Sequence, residues 1–138
     1  MPDIKLNIQN PDNTITSLEA PTDMGLSLME FLKANDYDIL ATCGGIALCA
    51  TCHVQVINGF EKLNEITDDE YAMLDTLPNI TGTSRLSCQL QLSDKLNNIT
   101  VKIMGDGVWF FVNYFKIVIN YSTSNLPLYI SWLFWLII

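Results

Sequence analysis

Basic residues are scarce in this chain: seven Lys and Arg stand against fifteen Asp and Glu, a net charge of −8 at pH 7. A field of that sign repels nucleic acid and anionic membranes and attracts partners that carry basic patches. The sequence also lacks a Ser/His/Asp set, paired catalytic carboxylates, a Walker loop and a dinucleotide fingerprint, so nothing in it speaks for an enzyme. No apolar signal core or Arg-rich amphipathic stretch opens it, since Met1-Pro2-Asp3-Ile4-Lys5 runs straight into an alternating pattern. That suits a cytoplasmic bacterial protein, or a mitochondrial matrix protein already trimmed of a transit peptide. No apolar run reaches the ~18–20 residues that a spanning helix needs.

What is present divides unevenly. Fourteen of the fifteen acids and six of the seven bases precede residue 105, whereas ten of the fourteen aromatics, including Trp109, Trp132 and Trp135, follow it. The expectation is one acidic domain over 1–104, long enough to bury a core without disulfides, and an apolar tail over 105–138. Val108 to Ile119 and Leu126 to Ile138 are the tail's two apolar runs. Three readings of it stay open: a translation product of AT-rich DNA beyond a shifted or missing stop, a membrane-contacting hairpin, or an extension packed on the domain.

Within 1–104, Ile4, Leu6 and Ile8 alternate with polar residues, and Ile15 and Leu18 follow the turn Asn10-Pro11-Asp12-Asn13, which predicts an opening hairpin. Ser27 with Glu30 forms a capping box, and Leu28, Phe31 and Leu32 supply one apolar face, predicting a helix near 27–35. Thr67 with Glu70 is a second box, opening a helix that runs through about Leu74 and stops before Pro78. Val54 and Val56 mark a short strand. Alternation at Leu86, Cys88, Leu90 and Leu92, and at Ile99, Val101 and Ile103, marks two more.

The four cysteines, Cys43, Cys49, Cys52 and Cys88, are spaced C-x5-C-x2-C and then 35 residues to the last. Three thiolates within ten residues converge only if the backbone wraps a small object, and Gly44 and Gly45 permit such a wrap. No residue from Thr42 to Cys52 is charged, which suits a loop with a dry inner side and an outer side that approaches another protein. Four thiolates around two irons is the usual arrangement of a 2Fe-2S centre. The rivals are weaker. Zinc sites built from four cysteines usually show two C-x2-C knuckles, paired disulfides need an oxidising compartment, and a thioredoxin-like C-x-x-C would not require Cys43 or Cys88. His53 is the single histidine, so a two-histidine cluster is excluded. A buried imidazole hydrogen-bonded to a backbone carbonyl is the expectation for it.

The stretch Cys43-Gly44-Gly45-Ile46-Ala47-Leu48-Cys49-Ala50-Thr51-Cys52-His53-Val54 resembles the adrenodoxin and putidaredoxin branch of the 2Fe-2S ferredoxins. Ser84-Arg85-Leu86-Ser87-Cys88-Gln89 resembles that family's final ligand segment, and Asp69-Glu70-Tyr71-Ala72-Met73-Leu74-Asp75 its acidic interaction helix. The resemblance covers about 3–104. It implies an α+β fold of the β-grasp (ubiquitin-like) type, a sheet packed on a helix. It further implies a 2Fe-2S cluster with Cys43 and Cys49 on an outer iron and Cys52 and Cys88 on an inner one. The implied role is one-electron transfer from a flavin-dependent NAD(P)H reductase to an acceptor, either a haem-thiolate monooxygenase or the iron–sulfur assembly machinery. The alternative is a non-carrier module in which metal serves a regulatory or scaffold role. Asp68, Asp69, Glu70 and Asp75 are the expected docking carboxylates. Part of their presence is helix capping, because the first three fall in a first turn that the helix dipole favours.

Overall fold

The computed structural model describes residues 3–104, and the three readings of the tail concern residues outside them. Five strands form one mixed sheet: β1 (Ile4–Gln9), β2 (Ile15–Ala20), β3 (His53–Asn58), β4 (Ser84–Leu86) and β5 (Thr100–Ile103), in the order β2-β1-β5-β3-β4. β1 pairs antiparallel with β2 and parallel with β5, and β3 pairs antiparallel with both β5 and β4. Two helices, α1 (Leu28–Ala34) and α2 (Asp68–Leu74), complete it.

The hairpin follows from its residues. Ile4, Leu6 and Ile8 all turn inward, as period-2 alternation requires. Asp12 accepts from the Thr14 amide (3.0 Å) and hydroxyl (2.6 Å), and Asn13 takes the left-handed conformation (φ 65°) that the tight reversal needs. Beyond the turn, Ile15 stays exposed and Leu18 is only half-buried, so β2 is an edge strand with little core of its own.

In α1 the capping box is complete. Ser27 Oγ accepts from the Glu30 amide, and the Glu30 carboxylate accepts from the Ser27 amide at 2.8 Å. Leu28, Met29, Phe31 and Leu32 then face the sheet and join Ile4, Leu6, Ile8, Leu90 and Val101 in one core. Each such side chain contributes roughly 1.5–3 kcal/mol relative to staying exposed.

The second box is only half made. Thr67 Oγ1 accepts from the Glu70 amide (3.3 Å), but the Glu70 carboxylate turns away from the cap. It takes the Arg85 Nε at 2.8 Å and Nη2 at 3.1 Å, and also the Leu86 amide at 2.8 Å. Arg85 donates a further N–H to the Asn64 carbonyl, 2.8 Å away. Both side chains are almost wholly buried, 1% exposed for Arg85 and 0% for Glu70. Glu70 is therefore not the docking carboxylate expected from the sequence, because its charge is engaged inside the protein, fixing α2 to β4.

Cys88 departs from expectation too. Leu86, Cys88, Leu90 and Leu92 are all buried, as their alternation predicts, yet the strand ends at Leu86. The Ser87 amide (3.0 Å) and hydroxyl (2.8 Å) both donate to the Cys52 carbonyl, which bends Ser87–Gln89 into a 3-10 turn. Cys88 sits on that turn.

Removing one partner of a buried, hydrogen-bonded ion pair leaves the other charge uncompensated, at a cost of about 3–5 kcal/mol. Urea unfolding of Arg85→Met should therefore show a loss on that order, while Glu70→Leu/Arg85→Met, which strands no charge, loses distinctly less. Equal losses in the two variants would mean that the ion pair is not what holds α2 down.

Candidate metal centre

Residues 42–52 form a loop without regular structure between α1 and β3. Its wrap uses Gly44 (φ 71°) and Gly45 (φ 100°), as expected. A Cβ on Gly45 would lie 3.4 Å from Met29 Cε and 3.7 Å from Cys88 Cβ, so the backbone there passes close under the Cys88 turn. Three alanines do the same work unannounced: Ala41, Ala47 and Ala50 all have positive φ, between 45° and 57°. The left-handed conformation costs an ordinary residue about 1–2 kcal/mol. Such strain persists only where the surroundings over-determine it, and it clusters at functional sites.

The loop places its sulfurs unequally. Cys43 and Cys49 are half-exposed, Cys52 and Cys88 are buried, and all four are free thiols. Donors converge on them. Burial pushes the Cys49 thiol up, but the hydroxyls of Thr42 and Thr51, with the Thr51 and Cys43 amides, outweigh it and hold it at about 6. Thr51 Oγ1 lies 3.0 Å from that sulfur and also accepts from the Thr42 amide, closing the two ends of the loop. The neighbouring Cys52 thiol pulls Cys88 below the ordinary thiol range, helped by the Gln89 side chain and the Ala47 amide, while Cys88 and burial together push Cys52 above it. Cys49 and Cys88 are thus held towards the thiolate, the form that ligates iron.

Residues of this kind fit a dinuclear cluster: four free thiols, two near the surface and two inside, with donors on Cys49 and Cys88 and no charge in the loop. Among the described residues no three His, Cys, Asp or Glu side chains gather tightly enough for a single ion, whereas two irons spread their four thiolates more widely.

His53 is fully buried, but a hydroxyl, not a backbone carbonyl, is its partner. Its Nε2 lies 2.8 Å from Ser84 Oγ, which in turn accepts from the Thr81 amide at 2.9 Å. Its Nδ1 has no partner among the described residues. Burial holds the imidazole down at about 4, so it is neutral in the folded protein at neutral pH.

Comparison with known proteins decides the family. The model of the 2Fe-2S iron-sulfur cluster binding domain matches residues 10–93. A 2Fe-2S ferredoxin of Rickettsia prowazekii is 40% identical over 101 residues, 72% of this chain and 88% of that protein. This chain belongs to the adrenodoxin/putidaredoxin-type 2Fe-2S ferredoxins. Mitochondrial adrenodoxin of Gallus gallus is 40% identical over 89 residues, 62% of each chain. Putidaredoxin in its covalent complex with putidaredoxin reductase superposes with a TM-score of 0.63 at 35% identity, covering 72% of this chain and 96% of that one. The protein is accordingly an electron carrier that binds a 2Fe-2S cluster, and its β-grasp fold is the one the resemblance implies.

Around the loop of this ferredoxin, Leu40, Ile46 and Leu48 are 57%, 65% and 63% exposed. The sequence leaves Thr42–Cys52 without charge, but only the fold turns these aliphatic side chains to solvent. Asp68, Asp69 and Asp75 are exposed on α2, as expected, with Glu61 and Glu65 nearby in sequence and Tyr71 also exposed among them.

The His53 environment has a consequence for pH. A folded-state value near 4 lies below the ordinary 6.5, so the unfolded chain binds the extra proton between them. The resulting stabilisation is fully present above about pH 6.5 and is lost as pH falls towards 4. In acid unfolding followed by circular dichroism, His53→Gln, which keeps a nitrogen for Ser84, should show a shallower loss across that window than the native protein. An identical slope would remove His53 as its source.

Proposed function

We propose that Cys43, Cys49, Cys52 and Cys88 ligate the cluster, and that the protein carries single electrons from a flavin-dependent NAD(P)H reductase to an acceptor. The observation that carries this reading is the approach of the glycine- and alanine-strained loop to the Cys88 turn, with four free thiols along the two and donors on Cys49 and Cys88. When bound, the cluster supplies storage of one electron. The chain's own groups do the rest. The Ala47 amide and Gln89 side chain stabilise negative charge on Cys88, and Thr42 and Thr51 do so on Cys49.

Cys43 and Cys49 lie nearer solvent, so the electron enters and leaves on their side, across the rim of Leu40, Ile46 and Leu48. A redox partner must be recruited fast and released fast, and surface charge achieves that better than a large apolar interface. In this reading Asp68, Asp69 and Asp75 steer a basic patch on the reductase, and the aliphatic rim makes the short-lived dry contact. The covalent complex of putidaredoxin with its reductase supports a reductase of this kind. Two acceptor classes fit the same surface, a haem-thiolate monooxygenase and iron–sulfur assembly proteins, and reconstitution with each separates them. The compartment proposed for it is a bacterial cytoplasm, with a mitochondrial matrix as the alternative.

Two measurements test this. Replacing any of the four cysteines by Ser should abolish the native visible absorption of the oxidised protein or shift the EPR signal of the reduced one, and an unaltered spectrum in Cys88→Ser would sink the ligand assignment. Asp69→Lys/Asp75→Lys should slow reduction by the reductase at low salt about tenfold or more and flatten its ionic-strength dependence. Reduction that ignores both salt and these substitutions would end the docking proposal.

A further inference from the structure

Gln89 follows a ligand cysteine and touches both halves of the site. Its Nε2 lies 3.2 Å from the Gly45 carbonyl and 3.3 Å from Cys88 Sγ. A side-chain amide nitrogen carries two hydrogens, so one N–H serves each acceptor. The orientation of the amide is fixed by the same pair. Flipped, its oxygen would face a carbonyl and a sulfur that has no proton to give once it is a thiolate, two lone-pair contacts in place of two bonds. Gly45 has φ 100°, and a Cβ there would lie 3.4 Å from Met29 Cε and 3.7 Å from Cys88 Cβ, so its backbone runs close to both side chains. Gln89 is half-buried, which shields both bonds from competing water.

We propose that Gln89 is a positioning residue that sets the reduction potential from the buried side of the cluster. One N–H ties the loop to the Cys88 turn at Gly45, and the other withdraws charge from the Cys88 sulfur. Reduction adds one electron and no bond is made or broken. A donor on the sulfur therefore stabilises the reduced, more negative state more than the oxidised one and raises the potential. On the exposed side the Thr42 and Thr51 hydroxyls act on Cys49. On Cys88 the Gln89 amide acts beside the Ala47 amide and is the side-chain donor that a substitution can remove. This inference rests on the reading of Cys88 as a ligand.

Gln89→Met keeps the length and much of the shape of the side chain but carries no N–H. With cluster content equal to the native protein by absorbance, its reduction equilibrium should shift about threefold to tenfold towards the oxidised form, equivalent to about 30–60 mV at 59 mV per tenfold. Gln91→Met, two residues on and exposed, should leave the potential where it was. An intact cluster with an unshifted potential in Gln89→Met overturns the proposal, while an unaltered spectrum in Cys88→Ser overturns the ligand reading beneath it. A second measurement needs no variant. Reduced native protein labelled with side-chain 15N-glutamine should show a 15N hyperfine coupling in pulsed EPR, and its absence overturns the proposal even if Gln89→Met fails to hold a cluster.

Discussion

The buried pair between Glu70 and Arg85 is the contact through which the separate parts of this ferredoxin hold one another in register. Its bonds join several elements. Two run from the Arg85 guanidinium to the carboxylate of α2, one from the Leu86 amide to the same carboxylate, and one from Arg85 to the Asn64 carbonyl ahead of α2. A buried charge pair is tolerable only with further hydrogen bonds around it, and here each guanidinium nitrogen and both carboxylate oxygens have a partner. The strand so anchored leads within three residues to Cys88, while the helix so anchored displays Asp68, Asp69 and Asp75 outward. The charged face proposed to meet partners and the turn that carries a thiol thus share one fastening.

On the other side of that fastening the loop stores strain. Two glycines and three alanines take left-handed backbone between residues 41 and 50. Local preference would not choose this shape, so it is held by closure at both ends. Thr51 clamps Thr42 across the base, and Ser87 binds the Cys52 carbonyl where the loop enters β3. The result is a set of amides and hydroxyls turned towards sulfur in a stretch without a single charge. Such preorganisation favours the thiolates of Cys49 and Cys88 in a half-dry setting where an isolated thiolate would be costly.

Much of this is legible in the residues. The spacing of Cys43, Cys49 and Cys52, the distant Cys88 and the flanking Gly44-Gly45 point to a dinuclear cluster, because few other objects need that wrap. The hairpin at Ile4–Ala20 and the Ser27 capping box follow from alternation and capping, both local properties. The misreadings have one cause. Glu70 resembles a half of a capping box and a member of an acidic run, and Cys88 resembles a strand residue. In each case a long-range partner, Arg85 for the first and the Cys52 carbonyl for the second, wins over the local pattern. Ala41, Ala47 and Ala50 carry no signal of their conformation, since alanine is neutral to everything except the tertiary frame that imposes it.

Residue identity alone establishes the cofactor chemistry, the acidic balance and the order of the main elements, because ligand type, charge and short-range periodicity are written residue by residue. Which carboxylates are free to meet a partner, which sulfurs lie inside and which amide reaches Cys88 emerge only once the chain is folded. Burial and hydrogen bonding between segments fifteen to forty-four residues apart settle those questions. No local pattern encodes the distance between two side chains whose meeting depends on the whole sheet.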